Sequence, residues 1–249
     1  GSEMCIRDRK QKLEDLDRYE ENFRRAKAEV EKSRAQLEIV SDKLSVIRKK
    51  YSQMLTDKII EGLKDLNFLD VQFHIDFQRK KEYTDNGFDD IEYEISTNPG
   101  ESVKPLGRIV SGGELSRIML AIKAILADRD QIETLIFDEI DSGISGRTAQ
   151  MVSEKMNLLG RTHQIICITH LPQIAAMADA HYLIEKAVSN GATVSKIRRL
   201  DTAETVDELS RMLGGVEITD KVRESAREMK ELAAVSYTHL RAHETCADL

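Results

Sequence analysis

Residues 134–148 read TLIFDEIDSGISGRT: an apolar run, Leu135-Ile136-Phe137, stops at two adjacent acids, Asp138 and Glu139, before a turn rich in Ser and Gly. A helical pattern follows over 146–159, and a second apolar run, 164–169, stops at His170. Continuous apolar strands joined by a helix predict a buried parallel βαβ unit, so the fold class is α/β. The two acids then stand at the C-terminal edge of the parallel strands, where open α/β sheets place ligands. Consecutive strand side chains diverge, so Asp138 and Glu139 suit different tasks. Asp138 can hold a hydrated Mg2+, which prefers carboxylate oxygen and water, while Glu139 can orient or deprotonate a water attacking a terminal phosphate. His170 could hydrogen-bond a γ-phosphate or that water. Singly, each has a plain structural reading as well, since loops often begin with Asp and histidines at strand ends are usually capped.

Upstream, Ser111-Gly112-Gly113-Glu114 opens a helical run through Leu115, Ile118, Met119, Ile122 and Leu126. Glycines let a backbone approach an anion closely, and the free N–H groups and dipole of the helix favour negative charge there; the same residues also read as an ordinary Ser N-cap. Before this, Val71, Phe73, Ile75 and Phe77 alternate with polar residues, as do Ile91, Tyr93 and Ile95, which predicts two strands joined at Asn86-Gly87. The first part of the chain is a heptad: Leu16, Tyr19, Phe23, Ala26, Val30, Ser33, Leu37, Val40, Leu44, Ile47, Tyr51 and Met54. That is a coiled-coil seam, a helix of roughly 58 Å from Leu16 to Met54, and its apolar stripe needs a partner helix. Downstream, 181–200 reads as an edge hairpin around Asn190-Gly191, and two helices flank Gly214-Gly215.

Composition narrows the class of protein. With 249 residues, 41% hydrophobic and 33% charged, no tryptophan and three prolines, the chain reads as helix-rich and globular, with no run near the roughly 20 apolar residues of a bilayer helix. A cytoplasmic, nucleoid-associated protein without membrane contact is expected. Cys5, Cys167 and Cys246 are too few and too irregularly spaced for a disulfide framework. The net charge of −7 excludes a uniformly basic nucleic-acid binder but leaves room for local patches, such as Arg48, Lys49 and Lys50 or Lys196, Arg198 and Arg199.

The order of these pieces resembles the C-terminal lobe of the ATP-binding-cassette (ABC) head of the SMC-like chromosome and repair ATPases. VSGGELSRIMLAIKAI (110–125), TLIFDEIDSGISGRTA (134–149), ICITHLPQIAAMAD (166–179) and Met212-Leu213-Gly214-Gly215 carry the resemblance, which covers about residues 10–234. It implies a P-loop ATPase head of ABC/SMC type preceded by a long coiled-coil helix, with ATP and Mg2+ as cofactors. Ser111 to Glu114 match the signature motif and Asp141 the D-loop acid, which would meet ATP held by a second copy of the head. Leu135 to Glu139 match the Walker B strand, with Asp138 supporting Mg2+ and Glu139 catalytic, and His170 matches the catalytic switch histidine. The implied function is recombinational repair of DNA double-strand breaks, with ATP-driven dimerisation of heads gating a hold on DNA ends. Alternatives are a mainly structural DNA-end tether, or another SMC-like repair or chromosome ATPase.

No G-x-x-x-x-G-K-[ST] occurs in the chain. A Walker A loop and the returning half of the coiled coil are therefore expected on an N-terminal lobe outside it, and the chain alone is expected to be inactive. Residues 1–9 and 235–249 resemble translated adapter read-through and are expected to be non-native, so His239, His243 and Cys246 are not taken as a metal site. Between them, 10–68 is expected as the coiled-coil helix and 69–234 as the lobe.

Overall fold

In a computed structural model, residues 2–109, 111–127, 132–189, 192–215 and 217–244 are described. The Asn190-Gly191 turn and Cys246 lie outside the described residues, as do the side chains of His239 and His243. The elements are α1 (Ser2–Asp65), β1 (Gln72–Thr84), β2 (Gly87–Ser96), β3 (Lys104–Pro105), α2 (Gly112–Leu126), β4 (Thr134–Phe137), α3 (Gly146–Leu159), β5 (Gln164–Cys167), α4 (Pro172–Ala176), β6 (Tyr182–Ser189), β7 (Ala192–Arg199), α5 (Thr202–Gly214) and α6 (Asp220–Glu244). Two short elements, β3 and α4, have no counterpart in the sequence pattern. Among the described residues, no helix is long and apolar enough to cross a membrane.

The chain divides into two compact units. One comprises residues up to Leu55 together with Ile75–Glu92, the other Thr56–His74 and the chain from Tyr93 onward. α1 is continuous because neither glycine nor proline interrupts it between Lys10 and Glu61. In the first unit the predicted seam faces solvent: Leu16, Tyr19, Phe23, Val30, Val40, Ile47, Tyr51 and Met54 are each more than half exposed. The helix meets the β1–β2 hairpin where Ser41 and Ser45 are buried and the seam residue Leu44 is half-buried. Small side chains allow the close approach, and Gly87, at φ +84°, has Ser41 and Leu44 beside it.

That contact is held by Asp89, which accepts from Ser45 Oγ at 2.7 Å and pairs with Arg48 at 2.9 Å; Arg48 also donates to the Asn86 carbonyl at 2.8 Å. Burial works to raise the Asp89 carboxyl, but the bonds from Ser45 and Arg48 outweigh it and hold the group below the ordinary carboxylate range. A carboxyl depressed in the folded state stabilises it above the unfolded value of about 4, and that contribution is lost as pH falls through the lower folded value. Protection of the Gly87–Glu92 amides, taken relative to their intrinsic exchange rates, should therefore fall below about pH 4, and Asp89→Ala should lower it at neutral pH by about 2 kcal/mol. Equal protection in the variant and the wild type would refute the assignment.

In the second unit the core is built from Ile59, Leu63 and Leu66 at the end of α1, Ile118 and Leu120 of α2, and Ile140, Val152 and Leu159, all almost fully buried. α3 buries Ala149, Val152, Ser153, Met156 and Leu159, a spacing of three and four that defines one helical face. β4 and β5 pair in parallel from Thr134↔Gln164 to Phe137↔Cys167, as the βαβ pattern predicts. The expectation that these strands are covered on both faces does not hold in this chain. Leu135 and Phe137 point inward, but Ile136, Ile166 and Ile168 are 67%, 45% and 51% exposed. β6 and β7 pair antiparallel from Tyr182↔Arg199 to Ser189↔Ala192, forming a two-stranded sheet of their own rather than an edge of β4–β5.

α4 follows the site histidine directly, started by Pro172 at its first turn. Its C-terminal carbonyls are gripped from α6: Lys230 Nζ donates to Ala176 O at 2.8 Å and Ala178 O at 2.6 Å, while His181 Nε2 donates to Ala175 O at 2.6 Å. Burial lowers the pKa of both Lys230 and His181. Ala176, Leu209 and Ala226 close the apolar contact among α4, α5 and α6.

Candidate functional site

The site is organised by the turn that leaves β4. Phe137 is the last strand residue, and Asp138 Oδ1 accepts the Glu139 backbone N–H at 2.9 Å. Glu139 itself takes φ +56°, a left-handed conformation costly for a residue with a side chain, and its carbonyl accepts from Ser142 N at 2.9 Å.

α2 is fastened onto this turn by one face. Ser116 Oγ donates to Asp138 O at 2.8 Å, and Arg117 Nη1 donates to Ile140 O at 3.2 Å and Ser142 O at 2.8 Å. The Arg117 guanidinium lies over the Phe68 ring at 5.6 Å and is buried, which lowers its pKa against the opposing pull of Glu114; guanidinium nevertheless stays charged. Gly113 must be glycine for the same packing: a Cβ there would meet Ser142 Cβ at 2.8 Å and Glu139 O at 2.9 Å. A Cβ on Gly112 would run into the Glu139 carboxylate. The glycines thus allow close approach, but what approaches in this structure is the chain's own turn and its own carboxylate. Ser111 caps the helix, its Oγ accepting from Glu114 N at 3.4 Å, and the Glu139 carboxylate rests at the positive end of α2.

On its other side the turn holds the end of β5. Asp141 Oδ2 accepts from Thr169 Oγ1 at 2.6 Å and from His170 N at 2.7 Å, and lies 3.0 Å from His170 Nδ1. Asp141, expected at a contact between two heads, therefore turns its carboxylate inward: its side chain is 4% exposed, whereas that of His170 is 74% exposed. Thr169 Oγ1 in turn accepts from Leu171 N at 3.0 Å, fixing the approach to α4. Cys167 ends β5 nearby; burial, with Asp141 and Asp138, pushes its thiol up to about 12.

Ser111 to Glu114, Asp138, Glu139, Asp141 and His170 are thus joined through one turn. Sequence reading gave no role to Ser116, Arg117 and Thr169, which make the joins. A signal was present for two of them, since Gly113, Ser116 and Arg117 stand at i, i+3 and i+4 and so share a helix face. Of the basic candidates, Arg48 is committed to Asp89, and Arg198 pairs with Glu204 at 2.6 Å and Glu185 at 3.8 Å. Lys49 and Lys50 stand over the rings of Phe77 and Tyr51 at 5.9 and 5.5 Å. Lys196 and Arg199 are exposed. Among the described residues, no group of three or more His, Cys, Asp or Glu is gathered in a way that could hold a metal ion.

The chain is similar in sequence to DNA repair proteins named RecN. The chain is 41% identical over 227 residues to the DNA repair protein RecN of Halalkalibacterium halodurans, covering 90% of this chain and 40% of that protein. It is 35% identical over 238 residues to the DNA repair protein RecN of Bacillus subtilis, covering 90% and 41%. The chain thus spans about two-fifths of the length of these relatives. Among solved structures it is similar to the Smc head domain with a coiled coil and joint from Pyrococcus yayanosii, with a TM-score of 0.47 and 21% identity over 66% of this chain and 30% of that one. No protein-family model matches the chain.

Because Arg117 satisfies two carbonyls of the turn, Arg117→Met should lower the stability of the chain by about 2–3 kcal/mol, read as a shift in its urea unfolding midpoint. An unshifted midpoint would show that the turn holds its shape without the guanidinium.

Proposed function

We propose that this chain is the C-terminal part of the ATPase head of a RecN-like DNA repair protein, and that the turn 138–142 is its catalytic edge. The observation that carries the reading is the convergence of α2, through Gly113, Ser116 and Arg117, and of β5, through Thr169 and His170, on the turn bearing Asp138, Glu139 and Asp141. The likeness to RecN over 90% of the chain supports it.

The donor set fits the implied groups. Asp138 offers a carboxylate at a strand end, which suits Mg2+ held largely by water, and the start of α2 offers backbone N–H groups suited to phosphate. Magnesium bound there would neutralise phosphate charge. Ser111, Gly112 and Gly113 face the terminal phosphate of a nucleotide carried by a second head, and the Glu139 carboxylate must leave Gly112 for that contact to form. Glu139, once free, orients the attacking water and accepts its proton, and His170 stands at the next strand end to meet that water or the γ-phosphate. The exposed side chains of Ile136, Ile166 and Ile168 give an N-terminal lobe carrying the Walker A loop an apolar face to cover, and the exposed seam of α1 gives a returning helix its stripe. A cytoplasmic, nucleoid-associated location and a hold on double-strand DNA ends go with this reading.

The test is ATP turnover by the chain co-expressed with an N-terminal RecN lobe that carries a Walker A loop, with and without DNA. Turnover should appear only in the assembled protein, and Glu139→Gln should lower it at least about 100-fold while nucleotide stays bound. Unchanged turnover in the variant would remove Glu139 from its role. An assembled complex that joins DNA ends without hydrolysing ATP would favour a structural tether.

A further inference from the structure

We infer that Thr169 is a positioning residue for His170: together with Asp141 of the same chain, its hydroxyl fixes the backbone on which His170 leaves β5. The catalytic consequence rests on the function proposed above; the bonds that carry the inference do not.

Strand pairing beside β5 reaches as far as Ile168, whose N–H donates to Phe137 O at 3.0 Å. α4 starts at Pro172, so Thr169 to Leu171 belong to neither strand nor helix. Peptide N–H groups in such a stretch need partners that a ladder no longer supplies. Two of them find side chains: His170 N donates to Asp141 Oδ2 at 2.7 Å, and Leu171 N donates to Thr169 Oγ1 at 3.0 Å. Thr169 Oγ1 spends its single proton on the same Asp141 Oδ2, at 2.6 Å. A carboxylate on one side and an amide on the other need a group that donates and accepts at once, which a hydroxyl is. Its bond to the carboxylate is charge-assisted and so the stronger of the two. His170 stands between these anchors, with the amide before its Cα tied to Asp141 and the amide after it tied to Thr169. The His170 side chain is 74% exposed, so packing places it little and the backbone decides where it can reach. Asp141, with its side chain 4% exposed and two donors on one oxygen, does this work within its own chain.

Amide hydrogen exchange on the 249-residue chain tests the bonds without nucleotide. Taken relative to intrinsic rates, the His170 and Leu171 amides should be protected in the wild type. Thr169→Val, which replaces the hydroxyl by a methyl group, should lower protection at Leu171 by about 10-fold, and Thr169→Ser should retain it. In the protein assembled with an N-terminal lobe, Thr169→Val should lower kcat at least about 10-fold with the KM for ATP little changed, and Thr169→Ser should restore kcat. A residue that served the fold alone would not split kcat from KM in this way. Unprotected His170 and Leu171 amides in the wild type, or equal Leu171 protection in the wild type and Thr169→Val, overturns the inference. So does wild-type turnover in Thr169→Val, or an equal loss in Thr169→Ser and Thr169→Val. If Thr169→Val does not fold, wild-type protection and the turnover of Thr169→Ser decide it. Failure of the assembled wild type to turn over ATP would count against the proposed function, and the exchange result would still decide the bonds.

Discussion

The Asp138–Ser142 turn is held from two sides, and the site depends on that double grip. From α2, the Arg117 guanidinium takes the carbonyls of Ile140 and Ser142 and Ser116 takes that of Asp138. From within the turn, Asp141 takes Thr169 and His170. Backbone carbonyls removed from water must find donors, and charged partners supply the stronger bonds. The cationic grip on one side and the anionic grip on the other fix a short loop that carries a non-glycine residue at positive φ. Strain of that kind persists only where the surroundings over-determine the backbone.

A consequence is that the start of α2 and the end of β5 are mechanically one object. Glu139, whose carboxylate lies beside Gly112, belongs to a turn whose other end holds His170, and His170 leads within two residues into α4. α4 is in turn tied to α6 by Lys230. The glycines matter for the same contacts. Gly113 is needed for contact with the turn, and Gly112 gives room to the Glu139 carboxylate, which rests at the positive end of the helix.

Much of the fold was legible in sequence. The period-two alternation at Val71–Phe77 and Ile91–Ile95, the cap at Ser111, the helix at 146–159 and the two apolar runs all correspond to elements in the structure. What the pattern missed had weak local signals. β3 has only two residues, and α4 is a single turn and a half started by a proline. The β4–β5 pair reads as buried on both faces because its apolar run is unbroken, yet within this chain Ile136, Ile166 and Ile168 lie open. Burial depends on what lies opposite, and a run of apolar residues records only the demand for cover.

The sequence by itself determined the parallel pair, the acids and histidine at its edge, and the capped glycine helix that precedes it, because periodicity and local capping chemistry act over a few residues. Tertiary structure alone decided how these meet. That Arg117 reaches 23 residues ahead to the Ile140 carbonyl, and that Asp141 turns inward to a histidine 29 residues on, follows from how helix and strands pack. Hydrogen bonds at such separations leave no period in the chain, since nothing local constrains which donor will arrive beside which acceptor.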